Sequence, residues 1–421
     1  MFYKLLITIL VALLSWSCSS DEPIVHKSEK TSCHPSSRYL SPEEACDVAS
    51  QTLKGLGLDS HSRTQKEAYA YLYNPKVLSR NGDNDTLFYV VNFNGGGFAL
   101  ILADRKAYVN TIAISGTGNF EKNDNPNMQL YTATSLIDSL KWKPGNGNSP
   151  FNPQPGPTNP WMIDPDGYQV GYIDTTYTYE NFLDVAWGQM YPYNNYCDSL
   201  RPIDIDYTVQ LGIRHLYRDR GVVGCAPVAV GQICSYNKKP TEIDGRQLDW
   251  EGITSFYSIW GLYDYDDRDD IAYLLARIGK KMGVTHGIGT SATEKQITTG
   301  LSKLGYSKVS VSSKVETCFD ALKDGQVALI LGCDDNNKGH VWVIDGYKHF
   351  NRQHIRFEKG SSTVYHVYNT ENIYYFSFNW GYESNDHVYC LVGSPYKPGG
   401  TDANGNEIAY TKSFRYITNI K

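Results

Sequence analysis

The chain is 421 residues long, with 41% hydrophobic and 20% charged side chains and a formal charge of −6. That length leaves room for two domains with sizeable cores, and the composition excludes an intrinsically disordered chain. A net negative chain with no basic stripe is equally unsuited to neutralising nucleic-acid phosphates.

At the N-terminus, Lys4 precedes an apolar run, Leu5 to Leu14, that ends in Ser15-Trp16-Ser17-Cys18. The run is too short to span a bilayer and reads as a secretory signal over residues 1–18. It resembles a bacterial lipoprotein signal, which implies that Cys18 is lipidated and becomes the mature N-terminus. Cys18-Ser19-Ser20-Asp21-Glu22 also resembles the acidic tags that send some bacterial lipoproteins to the cell surface. The implied location is the outer membrane or cell surface, with membrane contact only through the lipid on Cys18. The alternative is ordinary cleavage nearby and a soluble periplasmic protein. Residues 19–40 are polar and read as a tether.

Ser41-Pro42-Glu43-Glu44 starts a helix with an N-cap, a proline at the first helical position and an acidic first turn. Ala45, Val48, Ala49 and Leu53 form its apolar face. Strands are expected at Leu87 to Asn92, Gly97 to Ala103 and Val109 to Ile114, the first two joined by Asn94-Gly95-Gly96. Residues 41–143 thus form a small α+β unit. Residues 144–160 hold six prolines in 17 residues, which excludes a helix or a central strand. An exposed, cleavable linker is expected over 144–177, with a second domain over 178–421. The acidic run Tyr263 to Asp270 lacks the spacing of a calcium loop and reads as a solvated loop before a helix at Ile271 to Met282. Of nine cysteines, Cys234, Cys318, Cys333 and Cys390 have apolar neighbours and read as small buried side chains. An oxidising compartment permits pairs such as Cys33 with Cys46.

Four stretches carry chemistry. Trp187-Gly188-Gln189 offers an amide that can aim at an oxyanion together with the backbone N–H of Cys225. Losing one such donor typically costs ~10²–10³ in rate. Gly224-Cys225-Ala226-Pro227 opens an apolar helix, and a helix N-terminus favours the thiolate of Cys225. Gly224 leaves space for a substrate backbone. Gly339-His340 starts a strand, and His340 is a base of the right pKa for a thiol partner. Asn379-Trp380 offers an acceptor to hold the His340 ring in one tautomer, with Trp380 shielding that bond. Asp345 lies five residues along the strand from His340 and so points to the opposite face. Taken singly, each residue is as well explained by a structural role: a buried Cys, a core His, a turn Asn, a loop Gln.

The order Gln, Cys, His, Asn is that of papain-like cysteine peptidases. The wording "WGQMYPYN", "GCAPVAVGQICSY", "GHVWVIDGY" and "NWGY" resembles the streptopain family of bacterial cysteine peptidases. The N-terminal "FYVVNFNGGGFALILADRKAYVNTIAISGTGNF" resembles that family's propeptide. The resemblance implies a zymogen. An α+β prodomain over residues 41–143 acts as an intramolecular inhibitor before a papain-like catalytic domain over 178–421. Peptides or proteins are the implied substrates, the linker is the implied cleavage region, and no metal or organic cofactor is implied. Gln189, Cys225, His340, Asn379 and Trp380 carry over as the site. Tyr382 stands where the family has Trp, and the turn Glu383 to His387 is poorer in glycine.

The function expected is hydrolysis of peptide bonds through a Cys225 thioester. Extracellular release is expected if the linker is cut on the far side of the lipid anchor. Two other classes use the same residues. One is an amidase or acyl transferase built on Cys225 and His340. The other is a non-catalytic surface-binding lipoprotein on a protease fold.

Overall fold

The computed structural model describes residues 24–27, 40–58, 68–73, 88–94, 96–103, 109–117, 168, 170–333, 339–359, 364–381, 383, 388–392 and 412–421. The polar segment that reads as a tether contributes strand β1 (Ile24–Lys27), and helix α1 (Pro42–Gly55) follows. Four strands come next: β2 (Ala68–Tyr73), β3 (Phe88–Phe93), β4 (Phe98–Leu102) and β5 (Thr111–Ser115). Beyond them lies β6 (Val170–Glu180). Helices α2 (Pro202–Gln210), α3 (Arg214–Tyr217) and α4 (Cys225–Asn237) lead to the short hairpin β7 (Glu242–Ile243) and β8 (Arg246–Gln247). Helices α5 (Trp250–Ile253), α6 (Tyr265–Met282) and α7 (Glu294–Lys303), strand β9 (Ser310–Ser312) and helix α8 (Glu316–Lys323) come next. The last strands are β10 (Ala328–Cys333), β11 (Gly339–Phe357), β12 (Tyr365–Asn379), β13 (Tyr389–Leu391) and β14 (Lys412–Thr418).

Helix α1 begins as its sequence dictates. The Ser41 Oγ accepts from the Glu44 N–H at 3.3 Å, and the Glu44 carboxylate accepts from the Ser41 N–H at 2.7 Å, closing a capping box. Ala45, Ala49 and Leu53 are its buried residues. The acidic run behaves differently from expectation. Helix α6 starts at Tyr265 with Asp264 as N-cap and Asp266 and Asp267 in the first turn, where carboxylates suit the helix dipole. Asp269 and Asp270 grip Arg246 at 2.9 and 3.0 Å. The run is therefore a helix start and an ion-pair site.

Among the described residues, twelve strands share one antiparallel sheet. Its main path runs β2-β3-β4-β5-β13-β12-β11-β10-β14-β9, with β6 paired to β11 and β1 to β6. The N-terminal strands join the C-terminal ones where Ile114 faces Tyr389 and Ala113 faces Cys390. Residues 170–177, which the sequence assigns to the linker, already belong to β6 and pair with the outer half of β11. Residues 144–160 lie outside the described residues, as do Cys18 and Cys33.

Side chains alternate between two faces along each strand. Val341 and Val343 of β11 pack with helices α4, α6 and α7 in one core. Trp342 and Ile344 enter a second core with Cys318, Phe319 and Leu322 of α8. That second core also takes Val90, Phe98, Leu100, Leu102, Ile112 and Ala113 from the N-terminal strands. The opposite face of those strands, with Tyr89, Val91, Ala99 and Ile101, packs on α1 and on Tyr375 and Tyr389. The N-terminal unit is therefore buried on both faces and shares an apolar core with the strand that carries His340. Cys234, Cys318 and Cys390 are buried and Cys333 half-buried, as their apolar neighbours predict.

Candidate active site

Helix α4 is apolar around most of its circumference because it lies inside the first core; Ala226 to Ser235 are all buried. Pro227 falls in its first turn, where its missing N–H leaves no bond unmade. Gly224, just before it, has φ +93°, and a side chain there would meet Thr290 at 2.8 Å. The glycine is required by the backbone and by Thr290, rather than leaving open space for a substrate.

Cys225 is half-buried. Desolvation pushes its thiol pKa up, and the nearby backbone, that of Val341 foremost, only partly opposes this. The helix N-terminus favours a thiolate, and burial works against it. The backbone of Val341, the residue next to His340, is thus close enough to the sulfur to act on its pKa.

His340 sits at the start of β11, opposite Gly332 of β10. Its ring stacks on Trp342 at 5.6 Å and on Trp380 at 6.2 Å, and the two indoles stack on each other at 4.8 Å. Its Nε2 lies 3.3 Å from the Trp380 carbonyl. A carbonyl only accepts, so this contact requires a proton on Nε2. Burial pulls the His340 pKa down to about 4, against the smaller opposing effect of that carbonyl. Burial thus works against charge on both Cys225 and His340.

This has a measurable consequence. A histidine whose folded pKa lies below its unfolded value of about 6.5 destabilises the fold as pH falls between the two, because the unfolded chain takes up the proton first. Between pH 7 and 4.5 the wild type is expected to lose about 2–3 kcal/mol more than a His340→Gln variant in urea unfolding. Parallel losses in the two proteins would contradict the burial argument.

Asn379 does not play the part the sequence suggests. Its Oδ1 accepts from Gln232 Nε2 at 2.6 Å and from the Gly381 N–H at 3.2 Å, and its Nδ2 donates to the Val185 carbonyl at 2.8 Å. Both ends of the amide are engaged away from the His340 ring, and the Trp380 carbonyl is the acceptor that orients the imidazole. Asn379 instead ties helix α4, the segment before Trp187 and the Gly381 turn together. Asp345 is buried and accepts from the Leu183 N–H at 3.4 Å. Gln232 was not singled out by sequence. Its signal was there: it is a long polar side chain in an otherwise apolar, wholly buried stretch of α4, and such a group needs a partner.

Gln189 is half-buried, and its carbonyl accepts from the Val223 N–H at 3.0 Å. That bond sets the Trp187–Gln189 segment beside the residues leading into Cys225. Trp187 is fully buried beneath Gly231 of α4. Gly381 has φ +77°, and a side chain there would press on Val228 Cγ1 at 3.0 Å, so the turn after Trp380 lies directly on the Cys225 helix. Tyr382 and residues 384–387 lie outside the described residues. The four stretches carrying Gln189, Cys225, His340 and Asn379-Trp380 are therefore neighbours. Among the described residues no three His, Cys, Asp or Glu side chains cluster as a metal site.

Residues 187–389 match the model of the Peptidase C10 family, a range that starts at the Gln189 stretch and ends in β13. Two solved structures are similar in fold. A fragment of prointerpain A from Prevotella intermedia is 18% identical, with a TM-score of 0.50, covering 83% of this chain and 98% of the fragment. The active interpain A cysteine protease of the same organism is 17% identical, with a TM-score of 0.39, covering 57% of this chain and 94% of its own. The 83% coverage is more than the C-terminal part alone can supply, so the likeness of fold extends into the N-terminal strands. The fold is α+β and similar to that of the prointerpain A fragment. No curated protein is significantly similar to the chain.

Proposed function

We propose that this chain, whose residues 187–389 match the Peptidase C10 family and which has the makeup of a cysteine protease zymogen, is the precursor of an endopeptidase. Cys225 is its nucleophile and His340 its acid/base. The observation that carries this reading is Cys225 at the first position of a buried helix, with the backbone of Val341, the residue beside His340, close enough to its thiol to act on its pKa. In the active form the Cys225 thiolate attacks the peptide carbonyl. The oxyanion is stabilised by Gln189 and the Cys225 N–H. The His340 imidazolium gives its proton to the departing amine, and water then hydrolyses the thioester, returning the thiol. Asn379 acts through the framework it braces, and Trp380 packs on the imidazole and accepts from it through its carbonyl.

The intact chain is latent in this reading because burial works against charge on both thiol and imidazole. The prodomain, residues 41–143, acts through the shared core around Trp342 and Trp380. Cleavage within residues 144–169, ahead of β6, precedes activation of the catalytic part of the chain. The chain is a lipoprotein anchored by Cys18 at the outer membrane or cell surface. A cut in the linker severs the covalent tie to the anchor, but release also requires that the β5–β13 pairing and the shared core come apart. Mature enzyme found only in the membrane fraction would refute release.

The test of latency is the rate at which iodoacetamide alkylates Cys225, read by peptide mass spectrometry at pH 6 in residues 19–421 before and after limited trypsin treatment. Processing is expected to speed labelling at Cys225 by about tenfold or more, because the thiolate is the reactive form. Equal rates would contradict it.

A further inference from the structure

The turn that follows Trp380 holds a residue with no part in the scheme above. Glu383 has φ +62°, a left-handed backbone that strains any residue but glycine, yet a long charged side chain occupies it. That side chain lies on Gly188, the neighbour of Gln189. A Cβ added to Gly188 would stand 2.7 Å from Glu383 Cγ and 3.1 Å from its Cδ. Tyr193 and Trp260 lie near the carboxyl and partly oppose the upward push that burial gives its pKa. Its Oε1 is buried and has no hydrogen-bond partner among the described residues. No ion pair is made to Glu383 among the described residues. The nearby basic group, Arg218, has its guanidinium over the Tyr191 ring at 4.5 Å, and Tyr191 in turn meets Trp260 edge-on at 6.1 Å. Trp260 itself is 55% exposed, so this corner opens to solvent.

We propose that Glu383 selects substrates with a lysine or arginine just beyond the scissile bond, on the side of the departing amine. The side follows from the chemistry. The group that protonates the leaving amine is His340, its Nε2 lies at the Trp380 carbonyl, and Glu383 is three residues past Trp380 in the turn that packs on α4. The preference follows from the unfilled oxygen. A half-buried carboxyl with one unsatisfied oxygen is costly as it stands, and burial already pushes its pKa up. A guanidinium or ammonium brought by the substrate supplies both the missing hydrogen bond and the opposite charge. An acidic residue at the same place meets repulsion.

This inference rests on the peptidase reading, and its test separates the two. A casein-derived peptide that the processed wild type cleaves is made in three versions, with Arg, Ala or Glu in the two residues after the scissile bond. The ratio of kcat/KM for Arg over Glu is expected to be about tenfold or more in the wild type. It should fall toward one in Glu383→Gln and invert in Glu383→Lys. Glu383→Gly, which relieves the left-handed backbone, should also lose the preference and guards against misfolding of the other two. An unchanged ratio in Glu383→Gln and Glu383→Gly, or a wild type indifferent to charge, would overturn the role of Glu383 alone. A processed wild type that cleaves no peptide at all would overturn the peptidase reading, and this inference with it.

Discussion

Replacing His340 by alanine is expected to lower casein cleavage by the processed enzyme at least about 10³-fold, with the protein still folded. Without the imidazole nothing takes the thiol proton, and nothing protonates the departing amine. The residue is buried among Trp342 and Trp380, so truncation also leaves a small cavity. Folding is therefore followed in parallel by circular dichroism. The pH profile distinguishes a chemical role from a structural one. A variant that has lost the base should regain some rate as pH rises through the thiol pKa, because the thiolate then forms without help. Activity within about tenfold of wild type would remove His340 from the chemistry.

Trp342→Ala is expected to have the largest effect on stability, about 3–5 kcal/mol in urea unfolding of the intact chain. The indole is fully buried, stacks on Trp380 and meets Phe378 edge-on at 5.9 Å. It also sits in the core that takes in Val90, Phe98, Leu100 and Ile112 from the N-terminal strands. The variant should therefore loosen the N-terminal strands as well as destabilise the chain. Limited trypsin treatment should cut it faster than wild type. A loss below about 1 kcal/mol would show that the shared core is not packed as described.

The parts of this arrangement set by local chemistry were legible in the sequence. The capping box at Ser41 and Glu44 and the proline in the first turn of α4 are local signals, and the elements begin where those signals lie. The strand at Gly339-His340 announced itself by its glycine boundary and alternating apolar residues. Partners distant in the chain were harder to read. Nothing near Ile114 or Tyr389 indicates that they face each other across 275 residues of chain, so the fusion of the N-terminal strands with the catalytic sheet had no local signature. Residues 170–177 follow a proline-rich stretch and by sequence read as part of it, whereas pairing with β11 makes them a strand. Asn379 shows the same limit at the site. Its residue type fits an acceptor for His340, but Gln232, Gly381 and Val185 compete for it, and they win on geometry. The thiolate expected from the helix dipole is opposed by desolvation for the same reason: burial is a property of the whole fold.

The most direct measurement is on residues 19–421, wild type beside Cys225→Ala, each incubated with casein under reducing conditions while substrate cleavage and self-processing are followed together. The account predicts that the wild type alone degrades casein and sheds an N-terminal fragment, while Cys225→Ala stays intact and inactive. Equal cleavage by both proteins, or inertness of both even after trypsin has removed the N-terminal part, would contradict it.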